Sequence, residues 1–180
     1  VKVSSNELST ALPVPVAPGI AFPAEVTVTA EDCQGYDVVI VVVPAAGRLV
    51  ARSVEVRQRD DGPPVTGEAI RAVPVAGLVR QASGHVLSVD STHPDGQAHQ
   101  LSRRTIDKAG VERLRQAGPT DETLDWVAYI YRLALMLGTP PTGTVERDLE
   151  LPRSTAGRWV AMARERGFLG QSEGPGKAGG

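Results

Sequence analysis

The sequence predicts an α+β fold: a small antiparallel β-rich N-terminal domain with helices, followed by a C-terminal trihelical helix-turn-helix domain. Two patterns carry that prediction. Apolar and β-branched residues alternate between residues 26 and 56, whereas from residue 66 onward apolar residues recur at helical spacing behind capping residues. The chain of 180 residues is 41% hydrophobic, enough for a folded core or two small ones, and with aromatics at 4% those cores must be built from Val, Ala, Leu and Ile. The expected organisation is an extended arm at 1–24, a β-rich domain with helices at 25–118, a helix-turn-helix domain at 119–170 and a flexible tail at 171–180.

Pro13, Pro15, Pro18 and Pro23 deny residues 1–24 both a helix and a central strand. Val26 and Val28 around Thr27, the run from Tyr36 to Val43, and the alternation from Leu49 to Val56 read as strands. Pro44-Ala45-Ala46-Gly47 is short enough to join the last two as a hairpin, with Gly47 free to take positive φ. Thr66 reads as a helix cap, Pro74 as an interruption, and Val75 to Ala82 as the resumed helix, with Val75, Leu78 and Val79 on one face. A polar stretch from Ser83 to Gln100 reads as a loop or irregular strands. Thr105 to Gln116 predicts another helix with Ile106, Val111 and Leu114 inward, closed by Gly118-Pro119.

Composition excludes several functions. Net charge is -2, so no global positive field draws the chain to nucleic acid, and any such binding must come from a local patch. Arginine far outnumbers lysine, as in chains from GC-rich genomes. Cys33 is the single cysteine, which rules out an intramolecular disulfide and a Cys-based zinc site. Its acidic neighbours Glu31 and Asp32 would not stabilise a thiolate. The longest apolar run, Val38 to Val43, is too short to span a bilayer, and no leader pattern opens the chain, so a cytoplasmic protein with no membrane partner is expected. Asp90, His93, Asp95 and His99 superficially offer four metal ligands, but their spacing matches no known motif. His85 reads as a surface residue. No nucleophile triad, phosphate-cradling loop or HExxH motif occurs, so neither an enzyme nor a cofactor or metal is expected.

The C-terminal third holds the informative constellation. Thr120 caps a helix in which Val127, Ile130, Tyr131, Ala134 and Leu137 recur at helical spacing, and Gly138 stops it. Pro140-Pro141 makes a rigid connection, Thr142 is the expected cap of a short second helix with Val145 and Leu149, and a third helix is expected from near Pro152 to Arg166, ending at Gly167. Counted from Thr142 as a twenty-residue helix-turn-helix, Val145, Leu149, Leu151, Ala156 and Trp159 occupy the positions where the two helices touch. Ala156, Trp159, Val160 and Ala163 form an inward stripe, which turns Arg153, Ser154, Gly157 and Arg158 outward. Arginine can bond guanine bidentately, Ser154 and Thr155 can bond bases or phosphates, and Gly157 permits close approach to a duplex. Arg164 and Arg166 lie further along, better placed for phosphates. Trp159, within the stripe, is expected in the core rather than against a base.

Leu151-Pro152-Arg153-Ser154-Thr155, followed by Arg158 and by Arg166-Gly167-Phe168-Leu169, resembles the helix-turn-helix of IclR-type bacterial regulators over about 30 residues. Residues 126–169 also resemble the C-terminal module of a group of actinobacterial proteins, and the likeness extends more weakly to 67–80. The resemblance implies sequence-specific binding of double-stranded DNA and transcriptional control. Three features depart from it. Glu150 stands where such turns usually have glycine, so the turn is either built differently or strained. Glu146, Asp148 and Glu150 place negative charge on the second helix. Gly, Pro and Ser follow Leu169 where a β-wing would come, so a plain trihelical module is expected. One helix reads too few base pairs for tight binding, so a homo-dimer or larger homo-oligomer is expected, with the N-terminal sheet as its contact. The alternative is a protein-interaction or assembly component, for example of a phage or mobile element, whose trihelical module binds protein.

Overall fold

A computed structural model describes residues 2–7, 14–86 and 106–170, which fall into two compact units. The fold is α+β: an N-terminal antiparallel sheet region followed by a C-terminal helical region. One unit holds residues 2–7, 14–16 and 21–86; the other holds 17–20 and 106–170.

In the first unit, β1 (Lys2–Glu7), β4 (Val26–Cys33), β5 (Tyr36–Ala45) and β6 (Arg48–Gln58) form a four-stranded antiparallel sheet in the order β1-β4-β5-β6. Register follows from burial. Val26, Val28 and Ala30 stand opposite Val42, Ile40 and Val38, and all six are buried, because a one-residue slip would turn every one of them outward. The expected hairpin forms between β5 and β6, with Ala46 and Gly47 both at positive φ, as a two-residue turn between twisted strands requires. Where Val41 pairs with Ser53 and Val42 with Ala51, Arg52 is left over as a bulge.

The N-terminal segment departs from the extended arm expected of it. β1 pairs with β4 along its whole length as an edge strand, and Lys2 reaches Glu31 at 3.9 Å. The prolines lie downstream of β1 and leave its ladder intact. Further on, β2 (Val14–Ala17) and β3 (Ile20–Phe22) pair through the turn at Pro18-Gly19, with Ile20, Ala21 and Phe22 buried.

Helix α1 (Gly67–Ala72) is capped by Thr66, whose hydroxyl accepts from the Ala69 N–H at 3.2 Å. Pro74 ends that run, and α2 (Val75–Val86) packs against all four strands of the sheet with Leu78, Val79, Ala82 and Ser83 buried. The helix thus continues through Ser83 to Val86, where the polar composition predicted a loop; tertiary burial overrides weak propensity. The candidate ligands Asp90, His93, Asp95 and His99, and the tail at 171–180, lie outside the described residues.

The second unit comprises α3 (Lys108–Ala117), α4 (Asp121–Met136), α5 (Pro141–Asp148) and α6 (Arg153–Glu165). Helix α3 begins at Lys108, capped by Asp107, rather than at Thr105, and it groups with the helices that follow it instead of with the sheet. Val111 and Leu114 are its buried residues, and Ile106 is half-buried. Helix α4 is the hub. Leu124, Trp126, Val127, Tyr129, Ile130, Leu133, Ala134 and Met136 are buried around most of its circumference, and α3, α5 and α6 all pack on it. Among the described residues, no helix is long and apolar enough to cross a membrane.

Candidate nucleic-acid interface

Three successive helices end in the same hydrogen-bonded stop. At α4 the Thr139 N–H bonds Ala134 O and the Gly138 N–H bonds Leu135 O; at α6 Phe168 and Gly167 repeat the pattern on Ala163 and Arg164. This double bond requires the residue after the helix cap to be left-handed, and Gly138 (φ +66) and Gly167 (φ +78) supply it without a Cβ penalty. Between α5 and α6, Leu151 and Glu150 make the same two bonds to Glu146 and Arg147, but the left-handed residue is Glu150 at φ +49. The turn therefore keeps the glycine geometry with a side chain in place of glycine. Strain of this kind costs about 1–2 kcal/mol, partly offset by the chain entropy a glycine would lose. Glu150→Gly should raise stability by about 0.5–1 kcal/mol in urea denaturation; a destabilised variant would mean that the Glu150–Arg115 ion pair, 3.6 Å, outweighs the strain.

Helix α5 starts two residues earlier than expected. Pro140 occupies the cap position and Pro141 the first turn, so Thr142 lies inside the helix and is not its cap. Thr144 is buried instead, its hydroxyl donating to Pro140 O at 3.0 Å. Leu149 and Leu151 bracket the turn in the core, and α6 lies down on Ala156, Trp159, Val160 and Ala163, each at most 3% exposed. The inward stripe is the one the sequence spacing predicts.

Opposite that stripe, at 100° per residue, Arg153, Ser154, Gly157, Arg158, Ala161, Arg164 and Glu165 fall within an arc of about 140°. Arg153, Ser154 and Arg158 are exposed, while Thr155 and Gly157 are half-buried, with Thr155 toward the rim of the arc. Small residues thus run along the middle of the arc between two arginines. A Cβ added at Gly157 would meet nothing within 4 Å, so no packing inside the unit requires glycine there. Glu165 closes the arc at its C-terminal end, a carboxylate that a search for basic residues passes over.

Arginine by arginine, most of this unit is internally committed. Arg113 pairs with Glu122, Arg115 with Glu112 and Glu150, and Arg147 with Asp148. Arg132 donates to the carbonyls of Phe168 and Pro18, and its burial lowers its pKa below the usual value against the opposing pull of Asp125. Arg164 donates to the Tyr131 hydroxyl at 2.7 Å with its guanidinium 5.0 Å from that ring, and Arg166 bonds Asp121 at 2.9 Å. Both are expected toward phosphates, and each also holds a partner on α4. Of the described arginines of this unit, only Arg153 and Arg158 engage no acidic group or hydrogen-bond acceptor among the described residues.

The helix starts tell the same way. Helices α1, α3 and α4 open on a side chain that accepts a first-turn N–H, from Thr66, Asp107 and Thr120. Helices α5 and α6 open on Pro140 and Pro152 with no side-chain cap and no acidic residue in the first turn. Their first amides are left to outside acceptors, for which phosphate oxygens are suited. Among the described residues no cluster of three or more metal-ligating side chains occurs. Comparison with protein-family models, with curated proteins and with solved structures returned no match.

Proposed function

We propose that this chain is a sequence-specific double-stranded DNA-binding protein that acts in transcriptional control, with α6 as the helix that enters the major groove. The observation that carries the reading is the unpaired state of Arg153 and Arg158 on the outward arc of α6, in a unit whose other described arginines are engaged. Long cationic side chains left without partners on a rigid helix are free to bond guanine edges or phosphates. Ser154, Gly157 and Ala161 between them keep the helix surface low, so its backbone can come close to base edges. Open space at Gly157 supports the same role, since a mid-helix glycine costs about 1 kcal/mol relative to alanine and no neighbour needs it.

Basic and acidic residues balance between 106 and 170. Non-specific attraction to DNA is therefore expected to be weak, and affinity must come from matched contacts. Selection of the purified protein on a random duplex library at about 150 mM salt should enrich one motif containing guanines. No enrichment by folded protein would defeat the reading. A second reading, in which the arc binds a protein surface, is favoured by that same charge balance and by Glu146 on α5; it predicts a partner that competes for Arg153 and Arg158 while no duplex binds.

Gly157→Ala separates the two demands on α6. It should stabilise the unit by about 0.5–1 kcal/mol, since the helix gains propensity and the added methyl meets open space. It should also weaken binding to the selected duplex. Affinity unchanged beside raised stability would show that the helix axis stays away from the base edges.

A further inference from the structure

Strand β6 is the longest of the sheet, 11 residues from Arg48 to Gln58, and among the described residues only β5 pairs with it. Its outer edge therefore presents backbone N–H and C=O groups with no neighbouring strand among the described residues. Val50 and Val54 are 38% and 40% exposed, although the β5 residue opposite Val54, Ile40, is fully buried. The apolar layer of the sheet thus runs on to β6 and stops short of being covered there. The opposite edge, β1, is polar by comparison, reading Lys-Val-Ser-Ser-Asn-Glu.

Natural edges are blunted by charge or by bulges. The bulge at Arg52 does this for one half of β6, but Ser53–Gln58 is regular. Its charges are arranged in a particular way. Glu55 and Arg57 lie on one face, two residues apart, and within the single chain they bond each other at 2.7 and 3.0 Å, both well exposed. Two antiparallel copies of a strand related by a two-fold axis normal to the sheet must have that axis pass through a residue, so that opposed side chains share a face. An axis at Glu55 or Arg57 would set like charges opposite each other, and one at Val54 would leave Glu55 facing Ser53. An axis at Val56 sets Glu55 against Arg57 of the second copy twice, and Val56 against Val56.

We infer that β6 is a homodimerisation edge, on which Val54–Gln58 of two copies pair antiparallel about Val56 to give one continuous eight-stranded sheet. The inference stands whether or not α6 binds DNA. It identifies the residues behind the expected homo-dimer, and it would join two copies of the helical module in one assembly, as two half-sites require.

The test is a charge swap read by sedimentation equilibrium across a range of protein concentrations, with circular dichroism to establish that each variant is folded. The wild-type chain should be a dimer. Glu55→Arg and Arg57→Glu each turn two attractive cross-strand pairs into two repulsive ones, and each should raise the dimer dissociation constant by at least about tenfold. The double variant Glu55→Arg/Arg57→Glu should restore the wild-type value to within about threefold, because it rebuilds both pairs with the signs exchanged. A wild-type monomer at all concentrations, a dimer indifferent to the single swaps, or a double variant no better than the singles would each overturn the inference.

Discussion

Trp159→Ala is expected to cost about 3–5 kcal/mol, the largest loss of stability from any single change to α6. Trp159 is 3% exposed and lies in the stripe with Ala156, Val160 and Ala163, two of them too small to close over a missing indole. Since small domains hold only about 5–15 kcal/mol in total, a large share of the stability of the helical unit should go. Fluorescence of Trp126, the other tryptophan, reports on that unit during urea denaturation. Trp159→Phe provides the contrast. The indole Nε1 is buried with no acceptor among the described residues, and an orphaned donor costs about 1–3 kcal/mol, so phenylalanine removes a penalty along with some volume. It should cost far less than alanine. A loss below about 1 kcal/mol for Trp159→Ala would mean that α6 is not held by its inward stripe.

The second large effect falls on binding. Arg153→Ala and Arg158→Ala should each weaken binding to the selected duplex by about 1–3 kcal/mol, roughly 5- to 150-fold, with little change in stability because neither side chain has an internal partner. Lysine substitutions sort the contacts further. At a guanine, Arg→Lys loses the bidentate bond and relaxes preference at one position, whereas at a phosphate it keeps most of the affinity and the salt dependence. Arg164→Ala should behave differently, since it removes the bond to Tyr131 and acts through stability first. Binding that survives both alanine changes intact would falsify the assignment of α6 to the groove.

What the sequence made legible, and what it hid, divides along physical lines. The hairpin at Ala46-Gly47, the cap at Thr120, the stop at Gly138 and the inward stripe of α6 are local signals, written in residues within one turn or one pleat of each other. Edge strand β1 was hidden because its ladder to β4 is made by backbone groups 19 to 29 positions apart in the chain, and its polar sequence carries no strand pattern. The cap of α5 was misplaced because Pro140 and Pro141 start a helix without a side-chain bond. Arg164 and Arg166 looked free because their partners, Tyr131 and Asp121, lie 33 and 45 positions away. Exposure of Arg153 and Arg158 followed from periodicity, but their lack of partners did not: an ion pair depends on which distant carboxylates arrive nearby, and only the folded unit decides that. The glycine geometry of the Glu150 turn was open to two readings, and the hydrogen bonds resolve them in favour of strain.

The bulge at Arg52 governs how far assembly can proceed. It divides a strand that would otherwise be an unbroken template into a stretch of about 20 Å from Ser53 to Gln58 and a shorter, re-aimed remainder. An edge of full length and uniform register invites strand after strand, as fibrils do. As the proposed dimerisation edge, a short stretch whose charges match only their own reverse would be saturated by a single partner, and growth of the sheet through β6 would terminate at two.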